Sequence, residues 1–402
     1  MITARAFAGK RYAVCGLARS GIATAAALIA SGAEVAAWDA KEDARAKAPA
    51  GTRIENLDEA DLRHFDGLVV TPGLPLNRHP IAQRARDAGV EIIGDIELFA
   101  RARSELPSHK VVGITGTNGK STTTALIYHI LKTAGVPTTM GGNIGLPILA
   151  QDPLPRGGVY VLELSSYQID LTQSLDCDIA VLLNVTPDHL DRYDSFEDYA
   201  ASKERLISMS SGLIVRGRTD AGLDQSNWPS LQGPHNAQNA AAAIETCRTL
   251  GIGDGEIEEG LRTYPGLPHR MERIRDKEGV LFVNDSKATN PTATAPALAA
   301  FDRVRWICGG QAKTDSLDEC APHFGHVLKA YTIGEASELF AALLSPHMAV
   351  AECETLERAV GAAAAEAEDG DTVLLSPACA SFDQFRDFED RGDRFRALVG
   401  DL

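Results

Sequence analysis

The sequence lacks closely spaced cysteines. Seven cysteines are scattered singly among the 402 residues, and no C-x-x-C pair occurs. An odd, dispersed set is typical of reduced thiols in the cytosol, which argues against a disulfide framework and against a zinc ribbon. Cys379 lies beside a candidate site, but the sequence places no histidine close to it. We therefore interpret Cys379 as a packing residue and not as a nucleophile.

Long hydrophobic runs are also absent. No apolar stretch approaches the roughly 18 residues of a membrane-spanning helix. Residues 1–5 do not lead into the apolar core that a signal peptide needs. We therefore expect a cytoplasmic protein that does not contact a membrane.

Basic residues are too few for a polyanionic partner. Lys and Arg number 39 against 55 Asp and Glu, which gives a formal net charge of −16. Nucleic acids and anionic membranes both need a basic face, so we expect neither as a partner. The hydrophobic share of 44% and the charged share of 23% are ordinary for a globular enzyme. At about 150 residues per domain, the length predicts two or three domains.

A glycine-rich loop is the most informative feature that is present. It follows the apolar run at 111–115 and leads into a helix-forming segment, so it joins a strand to a helix. The backbone N–H groups of such a loop and the N-terminus of the helix can bind phosphate. Its lysine supplies a charge for the outer phosphates, and its serine can place a hydroxyl on Mg²⁺. The predicted ATP-binding residues of this loop are Gly116, Thr117, Asn118, Gly119, Lys120, Ser121 and Thr122.

The first hundred residues resemble the opening of a dinucleotide-binding fold. A strand at 11–15 is followed by the turn G-L-A-R-S-G, an alanine-rich helix, and a second strand at 34–38 that ends at Asp39. Ala18 replaces the middle glycine, which normally lets the backbone approach a pyrophosphate. This replacement weakens an NAD interpretation and leaves a nucleotide of another kind open.

The rest of the chain alternates strands and helices, which predicts parallel sheets with helical crossovers. We predict an α/β protein of three domains. A Rossmann-like domain covers 1–98, a central domain with a parallel sheet of the P-loop ATPase type covers 99–266, and a Rossmann-like C-terminal domain covers 267–402. Residues 98–110 are interpreted as a linker. Beyond this linker, strands are predicted at 110–115, 158–164, 178–184, 280–284, 304–308, 328–333 and 371–375.

Polar residues follow two strands of the central domain. Glu163 ends one apolar run, and Asp188 and His189 come just after another. Ligands in open α/β sheets lie outside the carboxyl ends of the strands, so Glu163 is a candidate Mg²⁺ ligand. A phosphate loop, an acid and a histidine at three strand ends of one domain together favour a nucleotide-dependent enzyme.

Eight motifs occur in order along the chain. They are G-T-N-G-K-S-T (116–122), G-G-N-I-G-L-P (141–147), E-L-S-S-Y-Q (163–168), N-V-T-P-D-H-L-D-R-Y (184–193), H-N-A-Q-N-A (235–240), G-L-P-H-R (266–270), N-D-S-K-A-T-N-P (284–291) and S-P-A-C-A-S-F-D-Q-F (376–385). This set resembles the Mur ligases, and within that family the branch that adds D-glutamate to UDP-N-acetylmuramoyl-L-alanine. The compact loop also resembles that of folylpolyglutamate synthases, but these would leave the first domain unexplained.

The resemblance implies a ligase that uses ATP and two Mg²⁺ ions in peptidoglycan precursor synthesis. Lys120 would contact the ATP phosphates. Ser121 and Glu163 would hold one Mg²⁺, and His189 would hold the second. Lys203 matches the lysine that is carbamylated in this family and supports the second metal. Without the resemblance, Lys203 would be interpreted as a solvated helix lysine.

The same comparison implies residues for each substrate. Asn143 would reach toward the reacting carboxyl and phosphate. Further nucleotide contacts are expected from Asn236, Asn239, Arg270 and Asp285. The UDP group would be bound by Leu17, Ala18, Arg19, Asp39, Thr71, Pro72 and Gly73. The glutamate pocket would comprise Lys287, Thr289, Lys313, Ser381 and Phe388.

Some alternatives remain open at this point. A relative that uses L-glutamate or another amino acid would carry the same motifs, because they do not encode chirality. A nucleotide-binding regulator without catalysis would not need Lys120, Glu163, His189 and Lys203 together. Only 33 positions separate Lys203 from Asn236, which is shorter than in the family, so we expect a reduced side structure there. We expect a monomer.

Overall fold

The computed structural model describes residues 1–188, 192–218 and 222–402, and it contains three β-sheets flanked by helices. This arrangement confirms the predicted α/β class. The described part of the chain has no helix that is both long and apolar enough to cross a membrane. Single-turn 3₁₀ helices or short 3₁₀ segments lie at Arg5–Phe7, Leu62–His64, Arg103–Glu105, Ile148–Ala150 and Ala321–His326.

The first sheet is parallel. Its strands are β1 (Arg11–Cys15), β2 (Glu34–Trp38), β3 (Arg53–Ile54), β4 (Gly67–Val70) and β5 (Ile92–Ile93), in the order β3-β2-β1-β4-β5. Its helices are α1 (Arg19–Ala30), α2 (Glu42–Arg45), α3 (Pro80–Ala88) and α4 (Asp95–Ala102). Since β1 is central and every strand points the same way, the turns after β1, β2 and β4 leave from one edge of the sheet.

The second sheet is also parallel and carries the glycine loop. Its strands are β6 (His109–Thr115), β7 (Thr138–Gly142), β8 (Gly158–Glu163), β9 (Ile179–Leu182) and β10 (Leu213–Arg216), in the order β10-β9-β6-β8-β7. The associated helices are α5 (Lys120–Thr133), α6 (Ser166–Asp170), α7 (Phe196–Met209), α8 (Pro234–Thr249) and α9 (Asp254–Thr263). Because β6 lies between β8 and β9, the segments that follow these three strands are neighbours.

The third sheet is mixed. Its strands are β11 (Glu272–Lys277), β12 (Val280–Asn284), β13 (Val304–Gly309), β14 (Val327–Ile333), β15 (Ala349–Glu354) and β16 (Thr372–Leu375), in the order β11-β12-β16-β13-β14-β15. Its helices are α10 (Pro291–Ala299), α11 (Ser337–Leu344), α12 (Leu356–Glu366) and α13 (Phe388–Gly400). The edge strand β11 is antiparallel to β12, which corrects the expectation of an all-parallel sheet.

The chain divides into two compact units. The first comprises Met1–Ala221 with Gln238–Leu261, and the second comprises Gly222–Ala237 with Arg262–Leu402. In the first unit, one hydrophobic core extends across both sheets and includes Ile96 and Phe99 from α4 and Tyr160 from β8. The predicted linker at 98–110 is therefore partly helical, because α4 continues to Ala102 and packs into this core.

Candidate active site

The glycine loop is held by the segments that follow β8 and β9. Thr115, the last residue of β6, donates its hydroxyl to the Leu164 carbonyl at 2.8 Å. On the other side, the Thr117 N–H donates to the Asn184 carbonyl at 2.8 Å, and the Asn118 N–H donates to the Asn184 side chain at 2.9 Å. The loop geometry is thus fixed by its two neighbours in the sheet.

Gly119 is required by a close contact. Its φ of +84° lies in the left-handed region, and a Cβ there would come within 2.2 Å of the Asn239 Oδ1. Asn239, on α8, is buried and also accepts a hydrogen bond from the Thr123 hydroxyl at 3.3 Å. The structure therefore brings Asn239, which was predicted to contact the nucleotide, directly against the phosphate loop.

Lys120 begins α5 and keeps its charge at the loop. Its Nζ donates to the carbonyls of Gly116 at 2.9 Å and Thr117 at 2.7 Å. Ser121 and Thr122 follow in the first turn of the same helix, and Ser121 is buried. Backbone N–H groups, a helix N-terminus and an ammonium group thus occupy one short segment, which is an arrangement that suits polyphosphate.

Glu163 is a buried carboxylate with one unused oxygen. It ends β8 and is 2% exposed. Its Oε1 accepts a hydrogen bond from the Asn143 amide at 3.0 Å, whereas its Oε2 is buried and has no hydrogen-bond partner among the described residues. Asn143 is placed here because its N–H donates to the Glu163 carbonyl at 2.8 Å. A buried carboxylate oxygen without a donor is suited to a hard cation.

Lys203 lies on α7 and is 1% exposed. Its Nζ donates to the Gly116 carbonyl at 2.8 Å and lies 4.6 Å from the centroid of the Tyr199 ring. The Tyr199 hydroxyl is in turn 3.1 Å from the Thr117 hydroxyl. A lysine interpreted from its local sequence as a solvated helix residue is therefore buried beneath the phosphate loop.

The surroundings of Lys203 disfavour its charged form. Burial and, second, the Lys120 charge lower the pKa of Lys203 to about 7. The carboxylates of Asp188 and Asp170 act in the opposite direction without offsetting this effect. A substantial fraction of the amine is therefore neutral near pH 7.

His189, which was also predicted to hold a metal ion, lies outside the described residues. Among the residues that the structure does describe, no group of three or more His, Cys, Asp or Glu side chains is placed so that it could hold a metal. Of the residues predicted to support metal, Ser121, Glu163 and Lys203 lie in or beside the loop.

The turns of the first sheet are bound to one another. The Asp39 carboxylate accepts hydrogen bonds from the N–H groups of Leu17 at 2.8 Å and Lys41 at 2.9 Å. Gly16, with a φ of +96°, has no room for a side chain, because a Cβ would lie 2.3 Å from the Thr71 hydroxyl. The turns that begin at Gly16, Asp39 and Thr71 therefore form one surface. Leu17, Ala18, Arg19, Pro72 and Gly73 lie on these turns.

Two arginines connect this surface to the second sheet. Arg192 donates to the carbonyls of Leu74 at 2.9 Å and of Pro72 and Gly73 at 3.4 Å each. Arg19 donates in the other direction, to the Gly145 carbonyl at 2.8 Å. The motif that contains Arg192 draws attention to its acid and histidine, and nothing local to it indicates a contact 118 positions away.

In the second unit, Asp285 follows β12 and is buried. It accepts hydrogen bonds from the Ser376 hydroxyl at 2.8 Å and the Met271 N–H at 3.2 Å. Burial raises the pKa of Asp285 to about 7, although these bonds and the nearby Arg270 charge act against the increase. Arg270 and Asp285 are thus neighbours, as the predicted nucleotide contacts require. Asn236 is buried near the start of α8 and donates to the Gln232 carbonyl at 3.0 Å.

The predicted glutamate residues form two contacting pairs. Lys313 Nζ lies 3.5 Å from the Thr289 hydroxyl, and Lys287 Nζ lies 3.8 Å from the centroid of the Phe388 ring. Ser381 is buried, and the preceding Ala380 exchanges two backbone hydrogen bonds with Gln311. The segments that carry Ser381 and Lys313 are therefore adjacent.

Arg391 was not predicted, although it ties these segments together. It is 1% exposed, and its guanidinium donates to the Ser286 hydroxyl and carbonyl and to the Cys379 and Ala380 carbonyls. Burial lowers the pKa of Arg391 to about 10. The available signal was its position on the apolar face of α13, four residues before the buried Phe395.

Cys379 is fully buried, and burial raises the pKa of its thiol to about 12. A thiol of this kind is protonated at neutral pH and inert as a nucleophile. All seven cysteines are free and buried, in agreement with the interpretation that they pack the interior.

Comparison with known proteins places this geometry in a family. Residues 10–94 match a model described as Mur ligase MurD-like, N-terminal domain. Residues 114–227 match the Mur ligase middle domain, and 269–379 match the Mur ligase, glutamate ligase domain. The chain belongs to the Mur ligase family, as its motifs predicted.

Relatives and solved structures agree with this assignment. The chain is 58% identical to the UDP-N-acetylmuramoylalanine–D-glutamate ligase of Novosphingobium aromaticivorans, over 99% of this chain and 96% of the relative. It is 59% identical to the enzyme of the same name from Sphingopyxis alaskensis, over 99% of each. The fold is similar to UDP-N-acetylmuramate-alanine ligase MurC from Thermotoga maritima, with a TM-score of 0.61, 17% identity and coverage of 98% of this chain and 99% of that one. It is also similar to MurF ligase from Thermotoga maritima in complex with ADP, with a TM-score of 0.58, 19% identity and coverage of 87% and 98%.

Proposed function

We propose that the protein is an ATP-dependent amide-forming ligase that adds D-glutamate to UDP-N-acetylmuramoyl-L-alanine in the synthesis of peptidoglycan precursors. The observation that carries this proposal is the 58–59% identity, over essentially the full chain, to enzymes named for this activity. The glycine loop with Lys120, and the buried Glu163 beside it, supply the chemical setting that such a reaction needs.

The reaction has two steps. A carboxylate is a poor acyl donor at neutral pH, so its oxygen first takes the γ-phosphoryl group of ATP, which gives an acyl phosphate and ADP. The neutral amine of D-glutamate then attacks the acyl carbon. Phosphate leaves, the amine loses a proton, and an amide bond remains.

The first unit would bind ATP and the donor substrate. The loop at 116–122 would bind the phosphates, and Lys120 would offset the charge that develops as the γ-phosphoryl group moves. Asn143, fixed by two hydrogen bonds to Glu163, would orient the reacting carboxyl. The surface made by the turns at 17–19, 39 and 71–73 would bind the UDP group. Asn236, Asn239, Arg270 and Asp285 would contribute the remaining nucleotide contacts.

Mg²⁺ fits the residues at the carboxyl end of the second sheet. The unpartnered Oε2 of Glu163 is a hard oxygen ligand in a buried position. Ser121 and Glu163 would hold one ion, and His189 a second. When bound, Mg²⁺ neutralises phosphate charge and polarises the phosphoryl group.

Carbamylation of Lys203 is supported by its burial and its low pKa. A neutral lysine amine reacts with CO₂ to give a carbamate anion and a proton, so the site then carries a negative charge where protonated lysine would carry a positive one. Beneath the loop, at 2.8 Å from the Gly116 carbonyl, an anion would suit a neighbouring metal ion better than an ammonium group does. We propose this modified form of Lys203 as the support of the second Mg²⁺.

The second unit would bind D-glutamate. Each buried carboxylate of a dicarboxylic amino acid needs a charged or hydrogen-bonding partner. Lys313 with Thr289, and Lys287 beside Phe388, provide two such places. Ser381 adds a hydroxyl on the segment next to Lys313.

The proposal also covers the domain organisation, location and oligomeric state of the protein. We assign the UDP-substrate domain to 1–98, the ATP-binding domain to 99–266, and the amino-acid domain to 267–402. We propose that the protein is a monomer. We also propose that it is cytoplasmic, because ATP and UDP-linked precursors are found in the cytoplasm. Alternatives are a Mur-type ligase for L-glutamate or another amino acid, and a regulator that binds nucleotide without catalysis.

Phosphate release tests the function directly. The purified protein is incubated with ATP, Mg²⁺ and UDP-N-acetylmuramoyl-L-alanine, and D-glutamate is compared with L-glutamate. We expect release that depends on D-glutamate. Release with L-glutamate alone would point to the first alternative, and ATP binding without any release would point to the second.

A further inference from the structure

We infer that Arg192 is a positioning residue that fixes the donor-substrate turn of the first sheet against the metal-binding segments of the second. This inference deepens the proposed function and rests on it, because the turn at 71–73 is there assigned to the UDP substrate. Arg192 is not proposed to touch a substrate or a reacting atom.

The contact pattern of Arg192 is specific to one turn. Its guanidinium donates to the carbonyls of three consecutive residues, Pro72, Gly73 and Leu74. The turn is otherwise closed by its own hydrogen bonds, such as that from the Leu74 N–H to the Thr71 carbonyl at 3.0 Å. A single side chain from the segment between β9 and α7 therefore supplies hydrogen bonds to three carbonyls of the turn.

The other face of Arg192 lies on an aromatic ring. Its guanidinium carbon is 4.2 Å from the centroid of the Tyr167 ring, and Tyr167 stacks on Tyr193 with a centroid distance of 6.2 Å. Tyr167 belongs to α6, which begins three residues after Glu163. The planar guanidinium thus spans the substrate turn and the segment that carries the candidate metal ligand. A lysine cannot reproduce both contacts, because its ammonium group is compact and does not stack as a plane.

A second arginine reaches across in the opposite direction. Arg19, on the first turn of the first sheet, donates to the Gly145 carbonyl in the loop that carries Asn143. Arg19 is also assigned to the UDP group, so its loss would confuse two effects. Arg192 is not among the residues assigned to the UDP group and contacts the turn through its backbone carbonyls, so its replacement isolates the positioning effect.

The chemistry explains why this position matters. The donor carboxylate must lie in line with the γ-phosphoryl group, and a displacement of about 1 Å can lower such a rate by about 100-fold. The donor is bound through the first sheet, whereas the phosphate loop belongs to the second. A residue that fixes the position of the turn at 72–74 relative to Glu163 and Asn143 therefore determines the distance between the reacting groups.

Steady-state kinetics with two variants test the inference. For Arg192→Ala we expect kcat/KM for UDP-N-acetylmuramoyl-L-alanine to fall by about 10- to 100-fold, while the KM for ATP changes less than about threefold. Arg192→Lys should recover part of the loss, since an ammonium group can still donate to one or two of the carbonyls. If Arg192→Ala fails to fold, Arg192→Lys alone still tests the expected loss.

Arg84 provides a matched control. It also donates its guanidinium to two backbone carbonyls, those of Leu57 and Ala60, but all three residues belong to the first sheet region. Arg84→Ala should leave both kcat/KM for the UDP substrate and the KM for ATP unchanged. An equal loss in Arg84→Ala, or a kcat/KM for the UDP substrate within about twofold of the wild type in Arg192→Ala, would overturn the inference.

Hydrogen exchange gives a readout that does not need activity. In the substrate-free protein, Arg192→Ala should speed exchange in a peptide that covers residues 71–76, and Arg84→Ala should not. Unchanged exchange at 71–76 in Arg192→Ala would also overturn the inference. If the wild type does not release phosphate, the proposed function fails, but exchange at this turn still decides whether Arg192 fixes it.

Discussion

Replacing Glu163 by Gln should affect the stability of the fold and the turnover of the enzyme in different ways. Glu163 is buried, and only its Oε1 has a hydrogen-bond donor, the Asn143 amide. A glutamine side chain retains an oxygen for Asn143 and removes the buried negative charge. Turnover should nevertheless fall by about 100-fold or more, because the carboxylate is proposed to hold Mg²⁺ at the phosphoryl group.

The expected change in stability follows from the unpartnered oxygen. A buried polar atom without a hydrogen bond costs about 1–3 kcal/mol, and more if it is charged. The free energy of unfolding of metal-free Glu163→Gln should therefore stay the same or rise by up to about 3 kcal/mol. In the wild type, Mg²⁺ at 100 times its Kd should add about 2.7 kcal/mol, and Glu163→Gln should lose most of this increment.

Glu97 is the matched control. It is equally buried, but both of its oxygens are occupied by the Arg101 guanidinium, the Ser174 hydroxyl and the N–H groups of Gln173 and Ser174. Glu97→Gln breaks an ion pair and turns an amide group toward donors. It should lower the free energy of unfolding by about 3 kcal/mol.

Urea unfolding in EDTA and in Mg²⁺ measures these differences, and phosphate release measures turnover. A loss of more than about 1 kcal/mol in metal-free Glu163→Gln would contradict the unpartnered state of Oε2, since an oxygen without a partner cannot contribute that much. Full stabilisation of the variant by Mg²⁺ would contradict the role of Glu163 as a metal ligand. Equal losses in Glu163→Gln and Glu97→Gln would show that burial alone, and not the missing partner, decides the outcome.

Three lysine variants test the rest of the site. Lys120→Ala should lower kcat by orders of magnitude at saturating ATP, because charge moves in the transition state; near-native turnover would remove the loop assignment. Lys203→Ala should be nearly inactive and partly restored by acetate, which replaces the carbamate; restoration by an amine instead would contradict carbamylation. Lys313→Ala should raise the KM for glutamate by an amount equivalent to about 2–5 kcal/mol and leave those for ATP and the UDP substrate nearly unchanged. An equal rise in all three KM values would indicate a folding defect.

The sequence was sufficient to predict the interior strands of each sheet. β1, β6, β8, β13 and β16 are mainly apolar, and the structure places them within one or two residues of the predicted bounds. The edge strands were not predicted. β3 and β5 have two residues each, and β11 reads E-R-I-R-D-K, in which only the pairing with β12 reveals a strand. Such strands are defined by their neighbours and not by their own composition.

In the candidate site, too, some residues could be predicted from the sequence and others could not. Residues of one motif, such as Lys120 and Ser121, could be assigned because the chemistry needs them side by side in the chain. Arg192 and Arg391 could not, since each joins a segment more than a hundred positions away, the turn at 72–74 and Ser286 respectively. The burial of Lys203 was equally invisible, because it depends on a loop 87 positions earlier.

The hydrophobic core that the first two sheets share has a consequence for synthesis and dissection of the chain. A fragment that ends at residue 98 would retain Ile96 and Leu98 without Tyr160, which belongs to the same core. Exposing these two side chains costs about 3–6 kcal/mol at 1.5–3 kcal/mol each, which is a large part of the stability of a typical domain. The first sheet should therefore not fold when expressed alone. On the ribosome, it should become protease-resistant only after the strands around residue 160 have emerged. The segment proposed to bind the donor matches a family model of its own, yet it should fold jointly with its neighbour because the two share one core.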